Sequence, residues 1–272
     1  MPSPNEITVA KLSRLIGTPN APVLIDICID EDFKKDPRLV PGSTRHLFRS
    51  ITELSPALAE KRVVVICQKG KKLSQGASAL LRDQGVIAEL LEGGVHAWRD
   101  AGLPLLPFEK IPKRNGQGRT VWVTRHRPKI DRIACPWLIR RFIDPTALFM
   151  FVAPSDVLDV ADKFAATPFD LEGVFWGHRG DRCSFDVMIE EFGLSTEPLE
   201  RLAKIVRGAD TNRHDLAPEA AGLLAASLGL SRMYRDDLEQ LEAGMLLYDA
   251  FYRWARDAVD EGHDWPNSVN RS

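Results

Sequence analysis

The sequence predicts an α/β domain with a parallel sheet, followed by an α+β domain with a helical C-terminal half. Three observations carry that expectation. Strand and helix signals alternate over the first part of the chain, as βαβ units require. Residues 107 to 119, PFEKIPKRNGQGR, then combine proline, glycine and basic residues without apolar periodicity, the composition of a connection. Beyond them a few strand signals give way to helical periodicity that lasts to about residue 259. At 272 residues the chain is long enough for two separately cored domains, given about 100 to 200 residues per domain. The expected division is a first domain over 1–108, a linker over 109–118, a second domain over 119–262 and a flexible tail over 263–272.

In chain order, the first domain reads as ITVAKLSRLIG, a strand in VLIDICI, a Pro-Gly turn and ITELSPALAE. There follow the β-branched strand VVVIC, the helical LSQGASALLRDQG, the short strand VIAELL and the helical HAWRDAG. The second domain reads as a strand in TVWVTR, a helix around WLIRRFI, a strand in ALFMFVA, a helix in DVLDVADKFA and a strand in GVFWGH, then helices. In the last of these, Leu238, Leu241, Met245, Tyr248 and Tyr252 fall at helical spacing. Such a stripe is expected in a core or in a dimer contact, so a homodimer is one expectation.

Hydrophobic content of 44%, charged content of 27% and a net charge of −2 are ordinary for a soluble globular protein and give no global attraction to nucleic acid. The N-terminus MPSPNEITVAKL lacks the apolar core of a signal peptide, and runs such as ALFMFVA are far too short to span a bilayer. A cytoplasmic protein without membrane contact is expected. Cys28, Cys67, Cys135 and Cys183 lie far apart with no C-x-x-C pair, which argues against a zinc ribbon and a secreted disulfide scaffold alike.

Residues 63 to 81, VVVICQKGKKLSQGASALL, run a strand into one cysteine, a short loop and a helix. Cys67 stands where the strand stops, so loose backbone N–H groups and the positive end of the helix can stabilise a charged sulfur. Lys69, Lys71 and Lys72 add to the effect. Ligands of parallel sheets bind outside the carboxyl ends of the strands, where Cys67 falls. Cys28 also ends an apolar strand, which leaves it as a second thiol near Cys67 or as buried filler.

This segment resembles the active-site region of the rhodanese sulfurtransferases. LIDICIDEDF (24 to 33) looks like the family's strand ending in an acidic residue, VPGSTRH (40 to 46) like its Pro-Gly turn, and LLEGGVHAWRDAGLPL (90 to 105) like its closing strand, Gly-Gly turn and helix. The family's loop usually reads Cys, two variable residues, Gly, a variable residue and Arg. Here it is CQKGKK, with Lys72 in place of Arg, and Cys28 stands where a basic residue usually follows the acidic one. The resemblance implies a sulfurtransferase in which Cys67 carries a persulfide cradled by the amides of Gln68, Lys69, Gly70, Lys71 and Lys72. A donor such as thiosulfate and a thiol acceptor are implied, and no cofactor is required for the transfer.

In the second domain, WVTRHRPKIDRIACPWLIRRFIDP (122 to 145) and GVFWGHRGDRCSFDVMIEEFGL (173 to 194) hold the polar residues that a core does not explain. Arg125, Arg127, Arg132, Arg140 and Arg141 gather around a strand end and a helix. They read either as a site for a tetrahedral oxyanion such as chromate or sulfate, or as a solvated basic face. His178 leaves an apolar run just before Asp181, Arg182 and Cys183, placement that suits a metal ligand, a proton carrier or a hydrogen-bonded structural residue. Asp131 and Asp210 are further carboxylates that could join it. The candidate site is therefore Arg125, Asp131, Arg132, His178, Asp181, Arg182, Cys183 and Asp210, with His178, Asp131 and Asp210 as candidate ligands of a metal whose identity is open.

These two motifs, their spacing and the LYDAFYRW ending resemble the C-terminal domain of chromate resistance protein B over about residues 119 to 258. The resemblance implies a link to chromate resistance or oxidative stress. Full-length members of that family are described as chromate-responsive regulators, but their usual N-terminal half is replaced here. No helix-turn-helix signature or basic stripe compensates, which speaks against direct nucleic-acid binding. Three functions are carried forward: a sulfurtransferase, a chromate, oxyanion or metal sensor with an accessory first domain, and a metal-dependent activity in the second domain.

Overall fold

The computed structural model describes residues 5–262; the expected tail over 263–272 lies outside these. The first domain opens with strand β1 (Glu6–Ile7), helix α1 (Val9–Leu15), strand β2 (Val23–Asp26), the short helix α2 (Asp30–Phe33) and strands β3 (Arg38–Leu39) and β4 (Ser43–Arg45). Residues Phe48–Leu58 form 3-10 turns around Pro56, which lacks the N–H that an α-helix needs. Strand β5 (Arg62–Ile66), helix α3 (Lys72–Asp83), strand β6 (Ile87–Leu91), helix α4 (Gly94–Asp100) and strand β7 (Leu106–Pro107) follow. Five strands make a parallel sheet in the order β1-β6-β5-β2-β4. Central β5 is apolar on both faces because both are covered, and Val63, Val64, Val65 and Ile66 are fully buried.

The second domain has strand β8 (Val121–Arg125), helix α5 (Asp131–Leu138) continued by one π-helical turn (Ile139–Ile143), strand β9 (Leu148–Val152), helix α6 (Val157–Lys163) and strand β10 (Thr167–Pro168). These strands form a second parallel sheet, β10-β8-β9. Helices α7 (Ser184–Glu191), α8 (Glu197–Asp210), α9 (Glu219–Met233) and α10 (Asp237–Asp257) complete the helical half. None of the helices in the described residues is long and apolar enough to cross a membrane.

The strand expected in GVFWGH does not form. Residues 173 to 178 are a turn, and the neighbouring ladder contact is an isolated bridge between Phe169 and Trp176. Left-handed backbone at Asp170 and Gly173 bends the chain, and at Gly177 a Cβ would stand 2.2 Å from the Leu171 carbonyl. The apolar run is explained by aromatic packing instead: Trp176 stacks on Phe192 at 4.6 Å.

The stripe on α10 lies inside the chain's own core. Leu241, Met245, Tyr248 and Tyr252 are buried, whereas Leu238 is exposed. Trp137 of α5 packs against Tyr252 at 5.4 Å and donates its indole N–H to Asp249 at 2.8 Å. Asp249 also takes a two-pronged bond from Arg141, at 2.8 and 2.7 Å. Removing the carboxylate leaves a guanidinium and an indole N–H without a partner. Asp249→Ala is therefore expected to cost about 3–5 kcal/mol of unfolding free energy. An unchanged denaturant midpoint contradicts it.

The two domains share packing. A Cβ on Gly17 would meet the Phe142 ring at 2.4 Å and Tyr252 at 2.9 Å, so only glycine admits the second domain there. Gly42 donates its N–H to the Phe142 carbonyl at 2.5 Å. The connection is tied to both sides: β7 pairs antiparallel with β3, Lys110 bonds Glu191 at 2.7 Å, and Arg114 pairs with Asp144 at 3.0 Å.

Candidate functional sites

Cys67 follows the last residue of β5 and is 5% exposed. Its sulfur lies 3.2 Å from the Ser74 hydroxyl on α3, which also donates to the Lys71 carbonyl at 3.1 Å. The loop from 67 to 71 is held from behind by α4. Val95 N–H donates to the Cys67 carbonyl and His96 N–H to the Gln68 carbonyl, both at 3.1 Å. In a planar trans peptide the N–H points opposite the carbonyl. The amides of Gln68 and Lys69 are therefore turned away from α4. Among the described residues no acceptor takes the N–H of Gln68, Lys69, Gly70 or Lys71. Lys69, Lys71 and Lys72 are exposed and in no ion pair among the described residues. The loop thus presents unpaired donors and unpaired cations, which is what an anion needs.

Two glycines make this packing possible. Gly70 has φ +62°, and a Cβ there would fall 2.5 Å from the Leu91 carbonyl. At Gly94, with φ +61°, a Cβ would fall 2.1 Å from the Cys67 carbonyl. Neither the role of the Gly-Gly turn at the thiol nor that of Ser74 is visible in the sequence, because both depend on α3 and α4 packing behind the loop.

Cys28 is buried, and its thiol reaches Asp26 at 3.5 Å. Burial, then the Asp26 charge, pushes this thiol well above its ordinary range, so it stays protonated. Burial likewise raises the Asp26 carboxyl. The basic residue absent two positions after Asp26 is supplied from the neighbouring strand: Arg45, paired in register with Asp26, donates to the Cys28 carbonyl at 2.8 Å and to Asp30 at 2.9 Å.

In the second domain the five arginines do not form one site. Arg127 is bound to the Ser231 and Tyr234 carbonyls, Arg140 to Glu242, and Arg141 to Asp249. Only Arg125 and Arg132 converge, and they do so on a carboxylate, Asp170, at 3.0 and 3.3 Å.

That carboxylate belongs to a cluster around His178. The imidazole Nε2 lies 3.5 Å from Asp131, 3.4 Å from Asp170 and 3.3 Å from Asp210. Asp131 is fully buried at the start of α5, where Ile130 adopts a left-handed φ of 43°. For a β-branched residue this is a strained conformation. It is secured by Tyr248, whose hydroxyl donates to the Ile130 carbonyl at 3.0 Å. Asp131 Oδ2 accepts the Ser184 and Phe185 N–H groups at the N-terminus of α7, at 2.5 and 3.4 Å. Its Oδ1 has no hydrogen-bond partner.

Burial, reinforced by the Asp210 and Asp170 charges, drives the Asp131 carboxyl up. Burial also opposes ionisation of Asp170, but the His178 contact and the Arg132 charge outweigh it and hold Asp170 below its ordinary range. Contacts with Asp131, Asp170 and Asp210 raise His178 to about 12. Desolvation lowers Arg132.

Of the sequence candidates, Arg125, Asp131, Arg132, His178 and Asp210 are brought together. Asp181, Arg182 and Cys183 are not. Asp181 is exposed, Arg182 pairs with Glu190, and Cys183 is a fully buried N-cap of α7 whose N–H bonds Asp186 at 3.0 Å. Burial raises the Cys183 thiol strongly, which keeps it protonated. Asp170 was missed, since one aspartate in a loop carries no spacing signal.

Comparison with known proteins follows the same division. Residues 8–101 match the rhodanese-like domain family, and residues 122–255 match the family described as ChrB, C-terminal domain. Protein ChrB of Cupriavidus metallidurans is 40% identical over 147 residues, which cover 52% of this chain and 43% of that protein. The chain therefore matches less than half the length of this relative. Among solved structures, a Staphylococcus saprophyticus protein is 25% identical, covering 36% of this chain and 96% of that one, with a TM-score of 0.32. A thiosulfate sulfurtransferase from Pseudomonas aeruginosa is 26% identical, covering 40% of this chain and 20% of that one, with a TM-score of 0.33.

Proposed function

For a chain that carries a rhodanese-like domain at 8–101 and a ChrB C-terminal domain at 122–255, we propose a sulfurtransferase function linked to chromate resistance or oxidative stress, with Cys67 as the sulfur carrier. The observation that supports it best is the loop after β5, where four amides without acceptors and three exposed, unpaired lysines directly follow one cysteine. The Cys67 thiolate attacks the outer sulfur of thiosulfate. The S–S bond of the donor breaks, and sulfite leaves with the electron pair. An acceptor thiolate then attacks the terminal sulfur of the Cys67 persulfide, forms its own persulfide and returns the Cys67 thiolate. Each step is a displacement at sulfur, and the loop amides stabilise the anionic sulfur in both. Lys71 and Lys72 attract the dianionic donor as point charges, without the planar fork that an arginine offers.

The test is mass spectrometry of the full chain after incubation with thiosulfate. The peptide holding Cys67 gains one sulfur atom, and a thiol removes it again; an unmodified peptide overturns the reading. A regulatory reading, in which the first domain signals to the second, is favoured by the shared packing at Gly17 and Gly42. It is distinguished by a Cys67 persulfide that forms and resists discharge by thiols.

A further inference from the structure

We propose that Asp131, Asp170 and His178, with Asp210 at the rim, bind a divalent first-row transition metal ion. This goes beyond the sulfur-transfer reading and does not depend on it.

The spacing of the donors is the first argument. One Nε2–H proton can serve one oxygen, and an imidazolium–carboxylate bond should close to about 2.7–2.9 Å. His178 makes no such contact. Its nitrogen instead lies at nearly equal distances, 3.3 to 3.5 Å, from an oxygen of each of three carboxylates. Donor atoms bound at about 2.0–2.2 Å around a tetrahedral ion lie about 3.3–3.6 Å apart, the range in which His178 Nε2 stands from each of the three oxygens, although Asp210 falls outside the set whose donor atoms all lie within 4.8 Å of one another. One donor atom each from Asp131, Asp170 and His178 lie within 4.8 Å of one another.

The second argument is independent of the first. Asp131 is fully buried in the cluster: its Oδ2 faces His178 and accepts the Ser184 and Phe185 N–H groups, while its Oδ1, on the same carboxylate, has no partner. A wholly buried carboxylate oxygen without a hydrogen bond is costly unless something else meets it. The surroundings also act as supports for ligands: Arg125 and Arg132 engage Asp170 through Oδ2, while Oδ1 faces His178 and takes the Ser184 hydroxyl at 3.0 Å. Such outer partners fix ligand carboxylates in place. His178, whose side chain is 42% exposed, gives the ion a way in. Three carboxylates with one imidazole favour Mn(II), Fe(II) or Zn(II), since magnesium and calcium prefer all-oxygen sets.

The experiment uses the full chain after treatment with a chelator. Mn(II) is titrated and the free ion followed by electron paramagnetic resonance, with Zn(II) as competitor. One equivalent is expected to bind, and Zn(II) to raise the melting temperature. His178→Gln, at a half-exposed position, should weaken Mn(II) binding at least about tenfold and abolish the thermal shift. Asp210→Asn is the second variant, should His178→Gln fail to fold, with weakened binding again expected. The proposal is overturned if the wild-type chain binds neither ion stoichiometrically, or if a folded variant binds as tightly as wild type. A His178→Gln chain that loses stability while metal leaves the wild type unmoved identifies a purely structural charge cluster, and this also overturns it.

Discussion

Cys67→Ser is expected to lower thiosulfate-dependent sulfur transfer by at least about a thousandfold while leaving the fold intact. Serine has nearly the shape of cysteine and can keep the contact with Ser74, which lies 3.2 Å from the sulfur. Its hydroxyl does not ionise near neutral pH and forms no persulfide, so the covalent route closes. The matched control is Cys183→Ser in the second domain. There the thiol caps α7, serine is a preferred N-cap residue, and transfer should match wild type. Equal rates for Cys67→Ser and wild type in a sulfite-release assay remove Cys67 from the mechanism.

Gly94→Ala tests the packing that shapes the same loop. The new Cβ would stand 2.1 Å from the Cys67 carbonyl, 2.5 Å from the Gly70 nitrogen and 2.8 Å from the Gln68 carbonyl carbon. All three are backbone atoms, which cannot rotate aside. A left-handed φ adds about 1–2 kcal/mol for any non-glycine residue. The loop must move by an appreciable fraction of an ångström, and displacement by about 1 Å costs on the order of a hundredfold in rate. We expect transfer to fall by about that factor and stability by more than about 2 kcal/mol. Gly102→Ala separates the two causes, since Gly102 has φ +69° but nothing within 4 Å of a Cβ. Its loss should stay near the backbone term alone. Similar losses for both variants in chemical denaturation and transfer assays contradict the packing argument.

Much of the first domain was legible because its signals are local. The β-branched run before Cys67 must be a covered strand, and a cysteine where that strand meets a lysine-rich loop falls at the carboxyl edge of the sheet, where ligands bind. The second domain was less legible for an equally physical reason. GVFW was read as a strand from its apolar character, but glycine-permitted bends and stacking of Trp176 on Phe192 use the same residues differently. The five arginines looked like one cluster in the chain, yet three of them are taken by partners more than 100 residues away.

By itself, then, the order of residues determined where three of the five strands of the first sheet run, β2, β5 and β6, which thiol stands at their open edge and which side chains could be ligands. Only the tertiary structure decided that Arg45 serves Asp26, that Ser74 and Gly94 frame Cys67, and that Asp170 joins Asp131, Asp210 and His178. Strand pattern and turn chemistry act over a few neighbouring residues and are written into short stretches of sequence. A cluster drawn from four separate segments is set by how helices and sheet pack, and no local spacing records that.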